Sequence, residues 1–405
     1  MPEPGKETPK LNAVPGVRLA STAAGIYAGE RKDMALLELS ESSTCAAVFT
    51  QNSFAAAPVK IAKNNLQSNP VRYLLINSGN ANAATGDRGF SDALELNTHL
   101  AQLAGCEPGQ VLPFSTGVIG EYLPLTQMKE AIPALISSLA EDSWDEAAAA
   151  IMTTDTIAKG SSRQISLDGE DIYVTGIAKG SGMIMPNMAT MLAFIASNVG
   201  VKDNILNQLL RSAVESSFNR ITVDGDTSTN DACVLVASGQ SSIEIDSADD
   251  PKLKALQVVI NEVFLELAQS IVRDGEGASK FIQVQVEGGK TREQCLEIAY
   301  SIANSPLVKT AMFASDPNWG RIVMAIGGSR GEEIQATKVS VFLNSLCIVD
   351  KGNKSKNYNE EAGQLEMSRE NILVRVDLGL GQCEETVWTS DLSHEYVRIN
   401  AEYRS

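Results

Sequence analysis

Residues 178–194 read AKGSGMIMPNMATMLAF, and the fold turns on how this stretch is understood. A cation, Lys179, sits in a Gly-Ser-Gly turn, a Met/Pro/Asn run follows, and a lone Thr190 stands before an apolar run. One reading is a loop entering a core strand, where Thr190 serves only as a β-branched residue. The other makes Thr190 a nucleophile that becomes an N-terminus. A Thr hydroxyl is too weak a nucleophile without an adjacent base. The chain has only two histidines, His99 and His394, so that base has to come from elsewhere. If the Ala189–Thr190 bond breaks, the new α-amine of Thr190, with an ordinary pKa of roughly 7.7–8, lies beside its own hydroxyl. One event then supplies nucleophile and base together, and the small side chain of Ala189 leaves room for the attack.

Around this stretch the chain alternates strand-like and helix-like segments. Apolar or alternating runs at 34–39, 72–76, 171–176, 233–237, 281–286, 339–343 and 372–377 predict strands. Helical periodicity marks 91–105, 126–140, 143–152, 202–218, 251–272 and 291–309. Ser143 with Glu146 three residues on has the form of a capping box. The mixture points to α/β or α+β layers, and the length of 405 residues to about two to three domain-sized units with poorly marked boundaries.

Composition excludes several functions. Lys+Arg 33 against Asp+Glu 50 gives a net charge of −17, a poor match to nucleic acid or an anionic membrane. The six cysteines (Cys45, Cys106, Cys233, Cys295, Cys347, Cys383) form no CxxC pair and read as free buried thiols. No apolar run approaches the ~18–20 residues of a membrane span, and the polar, Pro-rich start has no secretory character. A soluble, cytoplasmic protein is expected. GEGASK (275–280) and GGSRG (327–331) fail the P-loop spacing, and no dinucleotide fingerprint is present. Asp224, Asp226 and Asp231 lack the ring spacing of a calcium loop, so no metal is expected. Asn77, Asn80 and Asn82 read as ordinary turn residues without an assigned role.

Read together, the motifs resemble the glutamate N-acetyltransferase family, also called ornithine acetyltransferases, of arginine biosynthesis. The likeness runs over nearly the whole chain. It is carried by AAVFTQNSFAAAPV (46–59), LINSGNANAATG (75–86), STGVIG (115–120), MTTDT (152–156), KGSGMIMPNMATMLAF (179–194), TVDGDTSTND (222–231), VRDGEGASKF (272–281), ASDPNWGRI (314–322) and INAEYRS (399–405). Two positions depart from the family pattern: Ala158 stands where Pro is expected, and Ser197 with Asn198 where many relatives carry Thr-Asp.

The resemblance implies β-sheets layered between helices, an N-terminal-nucleophile-like sandwich. It implies a precursor cut after Ala189 into an α chain, 1–189, and a β chain, 190–405, assembled as α2β2. Thr190 is then the nucleophile, and Thr116 with Gly117 the oxyanion-hole pair. Thr153, Lys179, Thr190, Glu276, Asn400 and Ser405 are then substrate contacts, with Thr154 and Thr156 open alternatives to Thr153. The implied reaction passes acetyl from N2-acetylornithine to Thr190 and then to glutamate, releasing ornithine and N-acetylglutamate without a cofactor. Some relatives also accept acetyl-CoA, and that second donor stays open here. The competing reading is a self-processing amidohydrolase or peptidase of the same architecture, with water in place of glutamate.

Overall fold

The computed structural model describes residues 11–185, 191–329 and 334–402. They divide into two compact units. The first holds residues 11–219 and Asp226–Ile271, the second Arg220–Gly225 and 272–402.

In the first unit a four-stranded sheet runs in the order Val17–Thr22, Met34–Leu39, Tyr73–Asn77, Val111–Ser115. Its first three strands are antiparallel and the last pair is parallel. A five-stranded sheet follows the order Thr44–Phe49, Ala232–Ala237, Leu192–Ser197, Glu170–Lys179, Lys159–Leu167. Strand alternation sends successive side chains to opposite faces, and both faces of the four-stranded sheet are apolar. Leu37, Leu74, Ile76 and Phe114 meet Ile177, Phe194 and Val234 of the five-stranded sheet in one core. Phe114 and Phe194 touch edge to face, centroids 5.1 Å apart. The opposite face, with Met34, Leu36 and Leu75, packs on the helices Gly86–Ala104 and Leu125–Ser137 through Leu96, Leu100, Met128 and Ile132. The unit is thus an α/β structure of layered sheets with helices outside, as the resemblance implied.

The helix Pro251–Arg273 is long and apolar enough to cross a membrane by length and composition alone. Leu256, Ile260, Val263, Phe264, Leu267 and Ile271 are nonetheless fully buried in the protein, and Phe264 stacks against Phe218. Its hydropathy therefore belongs to a core helix.

The second unit is built on a seven-stranded mixed sheet with Phe281–Gly289 and Asn371–Asp377 as neighbouring parallel strands. Val284, Val286, Val374 and Val376 bury against Ile298, Ile302, Val308, Met312 and Ile322 of the helices Arg292–Ala303, Pro306–Phe313 and Trp319–Gly327.

Two local expectations are corrected. The helix expected over 291–309 breaks after Ala303, because Pro306 cannot continue it and instead starts a new helix, capped by the Ser305 hydroxyl. The capping box does not form: the Ser143 side chain makes no cap bond, and Glu146 pairs with Lys32 instead. All six cysteines are free thiols, with Cys233 and Cys295 buried and the other four only half-buried. Desolvation of its sulfur pushes the Cys45 thiol up to about 12, and the charge of Asp203 adds to it.

Candidate active site

The strands Tyr73–Asn77 and Val111–Ser115 are parallel neighbours, with Asn77 opposite Ser115, so the loops that follow them leave the same edge. Those loops are SGNANAATG and TGVIG. Asparagine side chains bind them into one structure. The Asn77 amide donates to Asn80 O at 2.9 Å, and its Oδ1 accepts from Ser115 Oγ at 2.6 Å. Asn80 Nδ2 donates to Tyr122 O at 2.9 Å, and Asn82 Nδ2 to Gly89 O at 2.8 Å. These residues are buried, and their hydrogen bonds replace those that a strand would have made.

Within this scaffold the Thr116 N–H is already occupied, donating to Asn77 O at 3.0 Å. A donor from Thr116 to a developing oxyanion is therefore its hydroxyl. The Gly117 N–H makes no hydrogen bond among the described residues. Gly117 has φ +134°, and a Cβ there would stand 2.3 Å from Gly79 C, so both backbone conformation and space demand glycine.

Lys179 ends the strand Glu170–Lys179 and is buried. Its Nζ donates to Thr116 Oγ1 at 3.3 Å, so two sequence-predicted residues meet. A hydroxyl that accepts from an ammonium is itself a stronger donor. Behind Lys179 lies Asp155. Its Oδ1 accepts from Lys159 Nζ at 2.6 Å and Gly180 N at 2.7 Å, and its Oδ2 from Thr153 N at 2.9 Å. Burial pushes the Asp155 carboxyl up. The ammonium groups of Lys159 and Lys179, with hydrogen bonds from Lys159 and Thr153, outweigh that and hold it below the usual carboxylate range. Asp155 thereby joins Thr153 to the backbone next to Lys179. Thr154 is half-buried and Thr156 exposed.

Thr190 and Ala189 lie outside the described residues, as does Ser405. The chain is described again from Met191, whose carbonyl accepts from Ala232 N at 2.9 Å at the start of two parallel strands. Asp231, at the same end, is buried, with Oδ2 unpartnered among the described residues. Burial pushes its carboxyl well up, against the pull of Ser228 and of the Lys179 charge.

In the second unit the remaining two predicted residues come together. Glu276 is buried and accepts from Asn400 Nδ2 at 2.7 Å. The helix His394–Ala401 that carries Asn400 is capped by Ser393, whose hydroxyl donates to Gly277 O at 2.7 Å. Gly277 has φ +68°, and a Cβ there would meet Tyr396 N at 2.5 Å. Asp391 ties the other end of the same loop through Ser279 N at 2.8 Å and Lys280 N at 2.9 Å.

Sequence reasoning weighed the threonines of MTTDT and passed over Asp155. Its signal was Lys159 four residues on, the spacing of an ion pair. Asn77, Asn80 and Asn82 had no such signal, because their partners are backbone groups and the hydroxyls of Ser115 and Thr85.

The profile of the ArgJ family matches residues 18–405. A protein from Pseudomonas fluorescens named arginine biosynthesis bifunctional protein ArgJ is 50% identical over 398 residues, 98% of either chain. One of the same name from Methylococcus capsulatus is 50% identical over 396 residues, covering 98% of this chain and 97% of that one. A crystal structure of the Bacillus halodurans protein of that name aligns with 51% of this chain and 96% of its own, at 35% identity and a TM-score of 0.49.

Proposed function

The chain belongs to the ArgJ family, and from that premise we propose that it moves an acetyl group from N2-acetylornithine to glutamate through an acetyl-Thr190 intermediate. It is an acyltransferase of arginine biosynthesis. The observation that carries the proposed chemistry is the pair of open donors at 116–117: a Thr116 hydroxyl polarised by Lys179, beside a Gly117 N–H that makes no hydrogen bond among the described residues.

Cleavage after Ala189 frees the α-amine of Thr190. In the first half-reaction Thr190 Oγ attacks the acetyl carbon of N2-acetylornithine, and the α-amine takes the hydroxyl proton. The tetrahedral oxyanion is met by Thr116 Oγ1–H and Gly117 N–H. As the C–N bond breaks, the α-ammonium returns its proton to the departing amine of ornithine. In the second half-reaction the glutamate amine attacks the ester, and the same groups act in reverse. One amide is exchanged for another of nearly equal free energy, so the exchange runs without a cofactor. Thr153, Lys179, Glu276, Asn400 and Ser405 are proposed to hold the substrate.

Intact mass under denaturing conditions tests the reading. Wild type should give two pieces, the second starting at Thr190, and that second piece should gain one acetyl group on exposure to N2-acetylornithine. Thr190→Ala should remain one chain without activity. Normal cleavage and turnover in Thr190→Ala would remove that residue from the mechanism. Release of acetate, with no dependence on glutamate, would mean hydrolysis instead of transfer.

A further inference from the structure

The loop TSTND precedes the strand Ala232–Ala237, and its Asn230 is a buried side chain with every hydrogen-bonding atom used. Nδ2 donates to Ala81 O at 2.6 Å and to Ser115 O at 2.8 Å. Oδ1 accepts from Thr229 Oγ1 at 2.7 Å. The amide can sit only this way round, since both partners of the nitrogen are carbonyls and the partner of the oxygen is a hydroxyl.

Ser115 O belongs to the peptide plane whose N–H is that of Thr116. That N–H donates to Asn77 O, so Asn230 and Asn77 hold the plane at both ends. The plane's direction sets where Thr116 Cα lies, and with it the Thr116 hydroxyl and the next N–H, that of Gly117. Ala81 O, the second carbonyl, belongs to the other loop of the same edge, and Ala81 N donates to Val118 O at 2.9 Å. One amide thus clamps both loops.

We infer that Asn230 is a positioning residue for acetyl transfer, acting through the oxyanion donors Thr116 and Gly117. The inference rests on the reading of those two residues given above. Asn230 belongs to the piece that would begin at Thr190, whereas Ala81 and Ser115 belong to the other, so the clamp joins the oxyanion loop to the piece that carries the nucleophile.

A clamp of this kind acts on the transition state. Asn230→Ala should lower kcat on the order of tenfold to a hundredfold, with KM for both substrates little changed. Both half-reactions should slow by a similar factor, because the same oxyanion forms in each. Rates are to be expressed per site that can be acetylated, counted by mass. Asn230→Ser, which can reach one carbonyl, should fall between Asn230→Ala and wild type. Thr229→Ala, which keeps the amide and removes its anchor, should give the same split in milder form and serves where Asn230→Ala does not fold. In a Thr116→Ala background, Asn230→Ala should cost much less than in wild type. A kcat per site unchanged by Asn230→Ala or Thr229→Ala, with only the melting temperature lowered, would reduce Asn230 to a structural residue. If Thr116→Ala itself leaves kcat unchanged, the oxyanion reading falls and the clamp with it. If Thr116→Ala is slow while the Asn230 variants are not, the clamp alone falls.

Discussion

Thr116, Gly117 and Lys179 divide their tasks by what each has left to give. Thr116 has spent its amide on Asn77 and keeps a hydroxyl, Gly117 keeps an amide, and Lys179 reaches that hydroxyl from the end of a strand in the five-stranded sheet. Asp155 makes a buried cation tolerable at this point. Its ion pair with Lys159 has no exposed side chain on either partner. Removing one member of such a pair costs about 3–5 kcal/mol, because the other is left buried and uncompensated. Asp155→Asn should therefore lower the urea midpoint markedly. It should also alter the acid response. A carboxyl held below its ordinary pKa stabilises fully above the unfolded value of about 3.9, and that contribution is lost as pH falls below it. Wild type should lose stability steeply below about pH 4, and Asp155→Asn less steeply. Parallel acid curves for the two proteins would show that Asp155 does not carry this charge coupling.

At the scale of elements, the proposed cut at Ala189–Thr190 falls between two strands that are neighbours in one sheet. Leu192–Ser197 pairs with Glu170–Lys179 on one side and Ala232–Ala237 on the other, while Ala232–Ala237 also pairs with Thr44–Phe49. Strands from the two pieces therefore interleave. Breaking one peptide bond leaves these ladders and their shared core intact. The two pieces should co-elute in native buffer and separate only in concentrated guanidinium. Separation in native buffer would mean the sheet does not survive the cut. The compact units do not follow this division, because the cut lies inside the first unit.

At the scale of the molecule, the family resemblance implies two copies of each piece. We propose the α2β2 assembly on that ground, and native mass spectrometry should find two copies of each piece in one particle. A particle with one copy of each would refute it.

The periodic segments and several motif residues were legible in the sequence. Met34–Leu39 is predicted to the residue, since a strand buried on both faces leaves a short, nearly continuous apolar run. The family resemblance singled out Thr116 with Gly117, and Glu276 with Asn400, as candidates, and Glu276 and Asn400 are hydrogen-bonded to each other. The helix over 291–309 was misjudged because its apolar period runs through Pro306, and the capping box because Glu146 found Lys32, distant in sequence. The same limit explains Asn230. A side chain that holds distant carbonyls leaves no periodicity and no fixed spacing, whereas Asp155 left one, Lys159 four residues on. The chain's residue types determined local structure and the chemistry available, because propensity and reactivity are properties of neighbours in sequence. Tertiary structure alone decided that Thr116 offers its hydroxyl and not its amide, and that Asn230 and Asn77 orient it. Hydrogen bonds between groups far apart in the chain exist only once the strands that carry them are paired.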